Sequence, residues 1–460
     1  MAKRKTVFVC NECGYESPKW MGQCICGAWN SFSEEIVSDA PLAAGAKNFA
    51  AAKHTEPLSL KNVVSVSGKR IDTGIGELNR VLGGGIVEGS LTLISGEPGI
   101  GKSTILTQTA AYISKNYGKV LYVSGEESAE QIKLRTDRIC AELSDNFYLL
   151  SETSMEAVLD AVEKLSPEFL IIDSVQTMYT DQIDAAPGSV SQVRACGNIL
   201  MNIGKGRNIP VFIVAHVTKN GELAGPKILE HMVDTVLSFN GERTQDLRIL
   251  RSLKNRFGTT SEIGAFEMRE EGLSEIENLS RSFLEGLEDG SCGAAATAVY
   301  EGTRPLLMEI QALTSTTNVG FARRTAIGID NQRLSMIIAV LEKKAGISLI
   351  NRDVYVNVVG GLHPEGTSTD LAVALAIWSD EKGIAIPSDV LAIGEIGLTG
   401  DLRPVSAAEK IVKEAARLGF KKIILPLKSG ERIPKASIPY GVQLICVKNI
   451  SEAIYRSSHF

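Results

Sequence analysis

The sequence has no run of apolar residues approaching the ~20 that a membrane-spanning helix needs. Its first residues, Met1-Ala2-Lys3-Arg4-Lys5, lack the apolar core of a secretory signal. A cytoplasmic protein with no membrane partner is therefore expected. Basic charge is not in excess either. Forty-eight Lys and Arg stand against 54 Asp and Glu, a net of −6, so any nucleic-acid surface has to be local. Disulfides are not expected in a reducing compartment. Four of the eight cysteines, Cys140, Cys196, Cys292 and Cys446, stand alone in mostly apolar segments and read as packing residues. With 460 residues, 44% hydrophobic and 22% charged, the chain is an ordinary globular protein too long for one core.

The other four cysteines are clustered. Cys10-Asn11-Glu12-Cys13-Gly14 is followed by Cys24-Ile25-Cys26-Gly27. Two thiolate pairs on tight turns can surround one tetrahedral Zn²⁺, and so short a segment has little else to fold around. The C-x-C spacing of the second pair is tighter than usual. Residues 1–33 read as a zinc-binding module. Residues 34–56, rich in Ala, Ser and Lys, read as a flexible linker.

Residues 57–280 alternate strand and helix, the pattern of a parallel sheet with crossover helices. Within them, Gly96, Glu97, Pro98, Gly99, Ile100, Gly101, Lys102, Ser103 and Thr104 form a complete phosphate loop between an apolar strand and an amphipathic helix. Backbone N–H groups and the helix N-terminus suit ATP phosphates. Lys102 reaches the β- and γ-phosphates and Ser103 holds Mg²⁺. Glu126 and Glu127 follow a second strand, where at least one carboxylate can polarise the attacking water. Asp173 ends the strand Phe169–Asp173 and completes the magnesium site. His216 ends another strand and is placed to sense the γ-phosphate. Lys254 and Arg256 lie at a strand end with alternate spacing, and both can point outward toward a neighbouring subunit's nucleotide. Two polar loops follow the Asp173 and His216 strands. Ser191, Gln192 and Arg194 in the first, and Lys219 and Lys227 in the second, are candidate DNA contacts. Neither loop carries an aromatic residue, so base stacking is not their mode.

The segments Thr73–Asn79 and Gly83–Ile86 resemble the opening of a RecA/KaiC-type ATPase core. With Lys254-Asn255-Arg256-Phe257-Gly258, Ala215–Lys219 and the cysteine module, the whole chain resembles the bacterial RadA (Sms) family of DNA repair proteins. That resemblance implies a hexameric ring that loads on single-stranded DNA. It also implies helicase-like branch migration of recombination intermediates, with a RecA-type recombinase as partner.

From 281 to 460 a second α/β domain is expected. Gly394–Gly400 and Ile424–Pro426 resemble the proteolytic domain of Lon proteases, which use a Ser–Lys dyad. Ser368 matches the serine position, but Asp370 stands where the protease has glycine. Counting on from Gly394, the lysine position holds Glu409, and a carboxylate cannot activate serine as a neutral amine does. Lys410 is adjacent, about 100° away on a helix. An inactive Lon-like scaffold is the expectation. Two alternatives are an ATP-dependent Lon-like protease and a KaiC-like regulatory ring; the second would call for two phosphate loops, and the chain has one.

Overall fold

The computed structural model describes residues 4–10, 15–38, 70–140, 142–216, 227–241, 246–260, 262–276, 278–317, 322–364 and 366–460. It divides into two units, Met1–Ile276 and Glu277–Phe460. The boundary thus falls a few residues before the expected position 280.

At the N-terminus three strands form a small antiparallel sheet: β1 (Arg4–Cys10), β2 (Glu16–Ser17) and β3 (Phe32–Ser38). The pairing of β1 with β3 runs from Cys10↔Phe32 to Arg4↔Ser38. Residues 34–38 therefore belong to the ribbon and not to a linker, because seven backbone pairs with β1 extend the module past residue 33. The remainder of the expected linker lies outside the described residues. Among the described residues, the ribbon's core is Cys10, Cys24 and Phe32, with Phe8 and Met21 against them.

A short hairpin of β4 (Arg70–Ile71) and β5 (Ile86–Val87) flanks α1 (Gly76–Val81). The strands that follow are β6 (Leu91–Gly96), β7 (Val120–Ser124), β8 (Phe147–Ser151), β9 (Phe169–Asp173), β10 (Val211–His216), β11 (Thr235–Asn240), β12 (Leu247–Asn255), β13 (Ile263–Arg269) and β14 (Gly272–Glu275). They make one nine-stranded sheet in the order β14-β13-β12-β11-β6-β10-β9-β7-β8. Strands β11 to β8 in that order are parallel, and β12 to β14 add an antiparallel edge. Helices α2 (Lys102–Asn116), α3 (Ala129–Ile139), α4 (Met155–Leu165), α5 (Val190–Arg207) and α6 (Ile228–Met232) connect the parallel strands. β6, β7 and β9 are buried along their full length, which is why they read as continuous apolar runs. Successive residues feed opposite cores: Ile94 packs with Ile105, Phe169 and Phe212, whereas Leu93 packs with Leu170, Val193 and Leu200.

In the second unit, α7 (Leu279–Leu284) precedes β15 (Ala294–Glu301), β16 (Arg304–Thr316) and β17 (Arg324–Ile327). Then come α8 (Asn331–Ala345), β18 (Arg352–Val358), α9 (Asp370–Lys382), β19 (Val390–Ala392), β20 (Glu395–Ile396) and β21 (Leu402–Arg403). The unit closes with α10 (Ala408–Arg417), β22 (Lys422–Pro426), α11 (Leu427–Gly430), β23 (Gln443–Val447) and α12 (Ile450–Ser457). Its seven-stranded sheet has the order β17-β18-β16-β15-β19-β22-β23. Helix α9 is buried from Asp370 to Ser379, apolar on every side, as expected of a helix inside a domain.

The first sheet's core sets a stability expectation. Phe212 is fully buried and packs edge-on against Phe169, with centroids 5.3 Å apart. Phe212→Ala should cost about 3–5 kcal/mol, read as a lower denaturation midpoint for the ATPase unit. A loss under about 1 kcal/mol would contradict this packing.

Candidate nucleotide site and metal centre

The parallel register brings four strand ends together. Gly96 pairs with His216, and Asp173 pairs with Ser124, so β6 ends level with β10 and β9 level with β7, while β10 runs two residues past β9. The phosphate loop leaves β6 and enters α2 there. Gly101 caps α2 with φ 119°, and a Cβ at this position would come within 3.0 Å of Met268. Only glycine suits that turn. Glu97, Pro98 and Gly99 face solvent, whereas Ile100 is buried in the core and anchors the loop. Ser103 and Thr104 occupy the first turn of α2.

Lys102 is 4% exposed. Its Nζ donates to Gly96 O at 2.7 Å and Glu97 O at 2.9 Å, and lies 3.2 Å from His216 Nδ1. Burial pulls its pKa down to about 8, against the opposing pull of Asp173, Glu126 and Glu97. Asp173 is 9% exposed, and its Oδ2 accepts from Tyr122 OH at 2.5 Å. Burial holds the Tyr122 phenol well above its ordinary value, with Asp173 adding to the effect. Asp173 and Ser103 thus stand beside Lys102 on the phosphate side, an oxygen donor set that suits Mg²⁺.

The two glutamates separate. Glu126 Oε1 accepts from the buried Ser174 Oγ at 2.5 Å and sits 3.3 Å from His216 Nε2, out of line for a hydrogen bond. Glu127 turns away to an ion pair with Arg135 of α3, whose guanidinium also approaches Tyr122 OH. Glu126 thus faces Ser174 and His216, whereas Glu127 is held by Arg135. Ser128 begins α3 with a capping box, and that turn directs the two side chains apart.

Lys254 and Arg256 lie at the other end of the sheet. Lys254 Nζ donates to Glu230 O at 2.6 Å and His231 O at 3.3 Å, and Arg256 Nη1 is 3.5 Å from Asp234 Oδ1. Burial first and Arg256 second draw the Lys254 pKa below its usual value. Asp234, in turn, accepts from Leu91 N, at the start of β6. Six residues of strand, roughly 20 Å, separate that end from the phosphate loop. These cations do not reach their own chain's loop.

The expected DNA residues fare unevenly. The first of the two expected DNA loops is helical from Val190, because Ser189 Oγ caps α5 by accepting from Gln192 N. Gln192 is 2% exposed. Its amide accepts from Thr180 N and donates to Thr180 O, Ile183 O and Ala185 O, so it builds the 180–185 loop and is not a surface contact. Ser191 is half-buried and Arg194 exposed on the same helix; Lys227 is exposed before α6. Lys219 lies outside the described residues.

In the ribbon, the sulfurs of Cys10, Cys24 and Cys26 converge within 4.8 Å of one another, and Cys10 Sγ is 3.9 Å from Cys26 Sγ. Thiolates on a tetrahedral zinc stand about 3.8 Å apart, so the set fits Zn²⁺ despite the C-x-C spacing. Cys13 lies outside the described residues.

Comparison with known proteins accords with this layout. Residues 54–222 match the AAA domain family, 8–34 the rubredoxin metal binding domain, and 309–429 the subunit ChlI of Mg-chelatase. A DNA repair protein RadA of Bacillus subtilis is 50% identical, the alignment covering 99% of each chain. Those of Listeria monocytogenes and Streptococcus pyogenes serotype M6 are 49% and 48% identical, again covering 99% of each chain. This chain belongs to the RadA family.

The RadA-family chain has a metal-binding ribbon, a RecA-like core and a ChlI/Lon-like C-terminal unit. In that last unit Ser368 Oγ donates to Ala298 O at 3.2 Å. Glu409 pairs with Lys413 at 2.7 Å, and Lys410 Nζ lies 2.5 Å from Tyr300 OH. Asp370 is buried in an ion pair with Arg333 and accepts from Ile396 N. Burial pushes the Asp370 carboxyl up, and Arg333 opposes that push. No helix among the described residues is long and apolar enough to cross a membrane.

Sequence reasoning missed Ser174, Tyr122, Arg135 and Asp234. Tyr122 reads as a core residue of an apolar strand, and only the fold brings its hydroxyl to Asp173.

The lowered Lys102 pKa has a signed consequence. A triphosphate stabilises the charged amine, so the bound state holds the proton more tightly than the free state. Nucleotide affinity should be level below about pH 8 and fall above it, by up to about tenfold per unit. Titration with a fluorescent ATP analogue between about pH 7 and about pH 9.5 measures this. Affinity that rises above pH 8 would contradict the assignment.

Proposed function

We propose that this chain is an ATP-driven motor on single-stranded DNA. It works as a homo-hexameric ring that branch-migrates recombination intermediates alongside a RecA-type recombinase. The observation that carries this reading is the separation of two half-sites. The phosphate loop, Glu126 and Asp173 stand at one end of the sheet, and Lys254 and Arg256 at the other. Arg256 is exposed, and its guanidinium meets Asp234 at 3.5 Å. A cation so placed serves a neighbour's nucleotide, as an arginine finger does. The relatives are DNA repair proteins, which supports DNA as the track.

In this reading Lys102 holds the β- and γ-phosphates. Ser103 and Asp173 hold Mg²⁺, which supplies charge neutralisation between those phosphates. Tyr122 fixes one oxygen of Asp173 by donating to its Oδ2. Ser174 fixes Oε1 of Glu126, so that Oε2 accepts from the attacking water. The neighbour's Lys254 and Arg256 stabilise charge on the transferring phosphoryl. His216 contacts Lys102 and ends the strand that leads into the second DNA loop, so it links hydrolysis to DNA. Arg194 and Lys227, with Ser191 and Lys219, are the proposed phosphate contacts. The Lon-like unit acts as a scaffold without peptidase chemistry, since Ser368 and Glu409 are each engaged elsewhere.

ATP turnover measured with and without single-stranded DNA, at low and moderate salt, tests the reading. Absence of both DNA binding and stimulation would overturn it. Glu126→Gln should lower kcat by about 10²–10⁴, whereas Glu127→Gln should stay within about tenfold of wild type. Equal losses in steady-state assays would refute the division between the two glutamates. Arg256→Ala should lower turnover by about 10³. Mixing it with Lys102→Ala subunits, which carry an intact Arg256, should restore part of the activity. If mixed rings stay inactive, the cation does not act across the interface.

A further inference from the structure

Gly83-Gly84-Gly85 packs at the Arg256 end of the sheet and takes no part in the phosphate loop. The three glycines hold φ of 84°, 111° and 120°, a turn that residues with a Cβ rarely make. The turn leads from α1 into β5 and passes along the stem of Arg70, on the paired strand β4. Arg70 Nη1 donates to Leu82 O at 3.3 Å and to Gly85 O at 3.4 Å. Its Nη2 donates to Phe257 O at 2.8 Å, across 187 positions of sequence. One guanidinium thus ties the glycine turn to the residue that follows Arg256.

A second tie runs beside the first. Asn255 ends β12; its Nδ2 donates to Val81 O at 3.2 Å, and its Oδ1 accepts from Phe257 N at 2.9 Å. Near these ties the two backbones meet directly. A Cβ on Gly258 would stand 2.9 Å from the Cα of Gly83, too close for any side chain. Arg256 N donates to Asp234 O at 3.1 Å. The backbone of Arg256 is therefore fixed on both flanks, while its side chain is exposed.

We propose that Arg70 is a positioning residue for Arg256. It holds the 255–258 turn so that the Arg256 guanidinium meets the nucleotide of a neighbouring copy. This rests on the trans-acting reading of Arg256 given above. Charge on a transferring phosphoryl has to be met in a fixed geometry, and about 1 Å of misplacement can cost about 10²-fold in rate. A charged donor makes strong bonds to carbonyls, and a planar fork lets one side chain serve three of them. Arg70 thus serves the neighbour's site and not the phosphate loop of its own chain.

The test is ATP turnover by the full chain. Arg70→Ala should lower kcat by about 10–100-fold, with affinity for a fluorescent ATP analogue within about threefold of wild type. Arg70→Lys keeps the charge and the stem but loses the fork, so its turnover should fall too. It carries the test if Arg70→Ala does not fold. Mixing separates positioning from a general structural role. Subunits with the Arg70 substitution keep an intact phosphate loop, and Lys102→Ala subunits keep Arg70 and Arg256. Together they should regain part of the turnover, one supplying the loop and the other the cation. A subunit damaged throughout would gain nothing from its neighbour. Turnover within about twofold of wild type in either variant overturns the proposal. So does a mixture that stays inactive while the parallel Arg256→Ala mixture recovers. If neither mixture recovers, the trans-acting reading itself falls, and this inference with it.

Discussion

The nucleotide site depends on the alignment of parallel strand ends. Gly96 opposite His216, and Asp173 opposite Ser124, bring the loop, the magnesium carboxylate and the turn bearing Glu126 to one edge. The side-chain period of a strand is two, so a slip of one residue would turn Asp173 and Tyr122 to opposite faces from their present ones. The continuous burial of β6, β7 and β9 resists such a slip, because each of their apolar residues is packed in one of two cores.

The opposite end of the same strands has its own fixed point. Asp234, buried, accepts from Leu91 N and Lys205 Nζ, and it leaves Oδ1 toward Arg256. Strand length then sets the distance between the phosphate loop and the outward cations. One sheet therefore carries the phosphate loop at one end and Lys254 and Arg256 at the other, the separation on which the proposed ring rests.

The ChlI/Lon-like unit buries a charged pair at the start of a core helix. Asp370 occupies the glycine position of the protease pattern, at the start of a fully buried helix. A carboxylate is tolerated there because Arg333 and the Ile396 N–H supply donors. Removing Arg333 alone would leave a buried charge unpaired, which is the costly half of a buried ion pair. The pair is thus an internal tie where the protease pattern keeps glycine.

Much of this was legible in the residues alone. The phosphate loop, Asp173, His216 and the converging Cys10, Cys24 and Cys26 follow from local motifs, because glycine turns, apolar strands and thiol spacing are written in adjacent positions. The different settings of Glu126 and Glu127 are not local: they depend on Arg135, nearly two turns into α3, and on Ser174, just past the end of β9. Gln192 reads as a polar loop residue, yet the cap at Ser189 makes it helical and the 180–185 backbone absorbs its amide. The ribbon's third strand reads as a linker, since its pairing partner lies nearly thirty residues away and charge and small residues mask the pattern. Short-range order, which needs only neighbours in sequence, was thus determined by the sequence itself: a nucleotide loop, a metal-binding ribbon and two α/β units. The tertiary structure alone decided what holds Glu126 and Glu127 and which cations cannot reach the phosphate loop, because each depends on residues that only long-range strand pairing brings together.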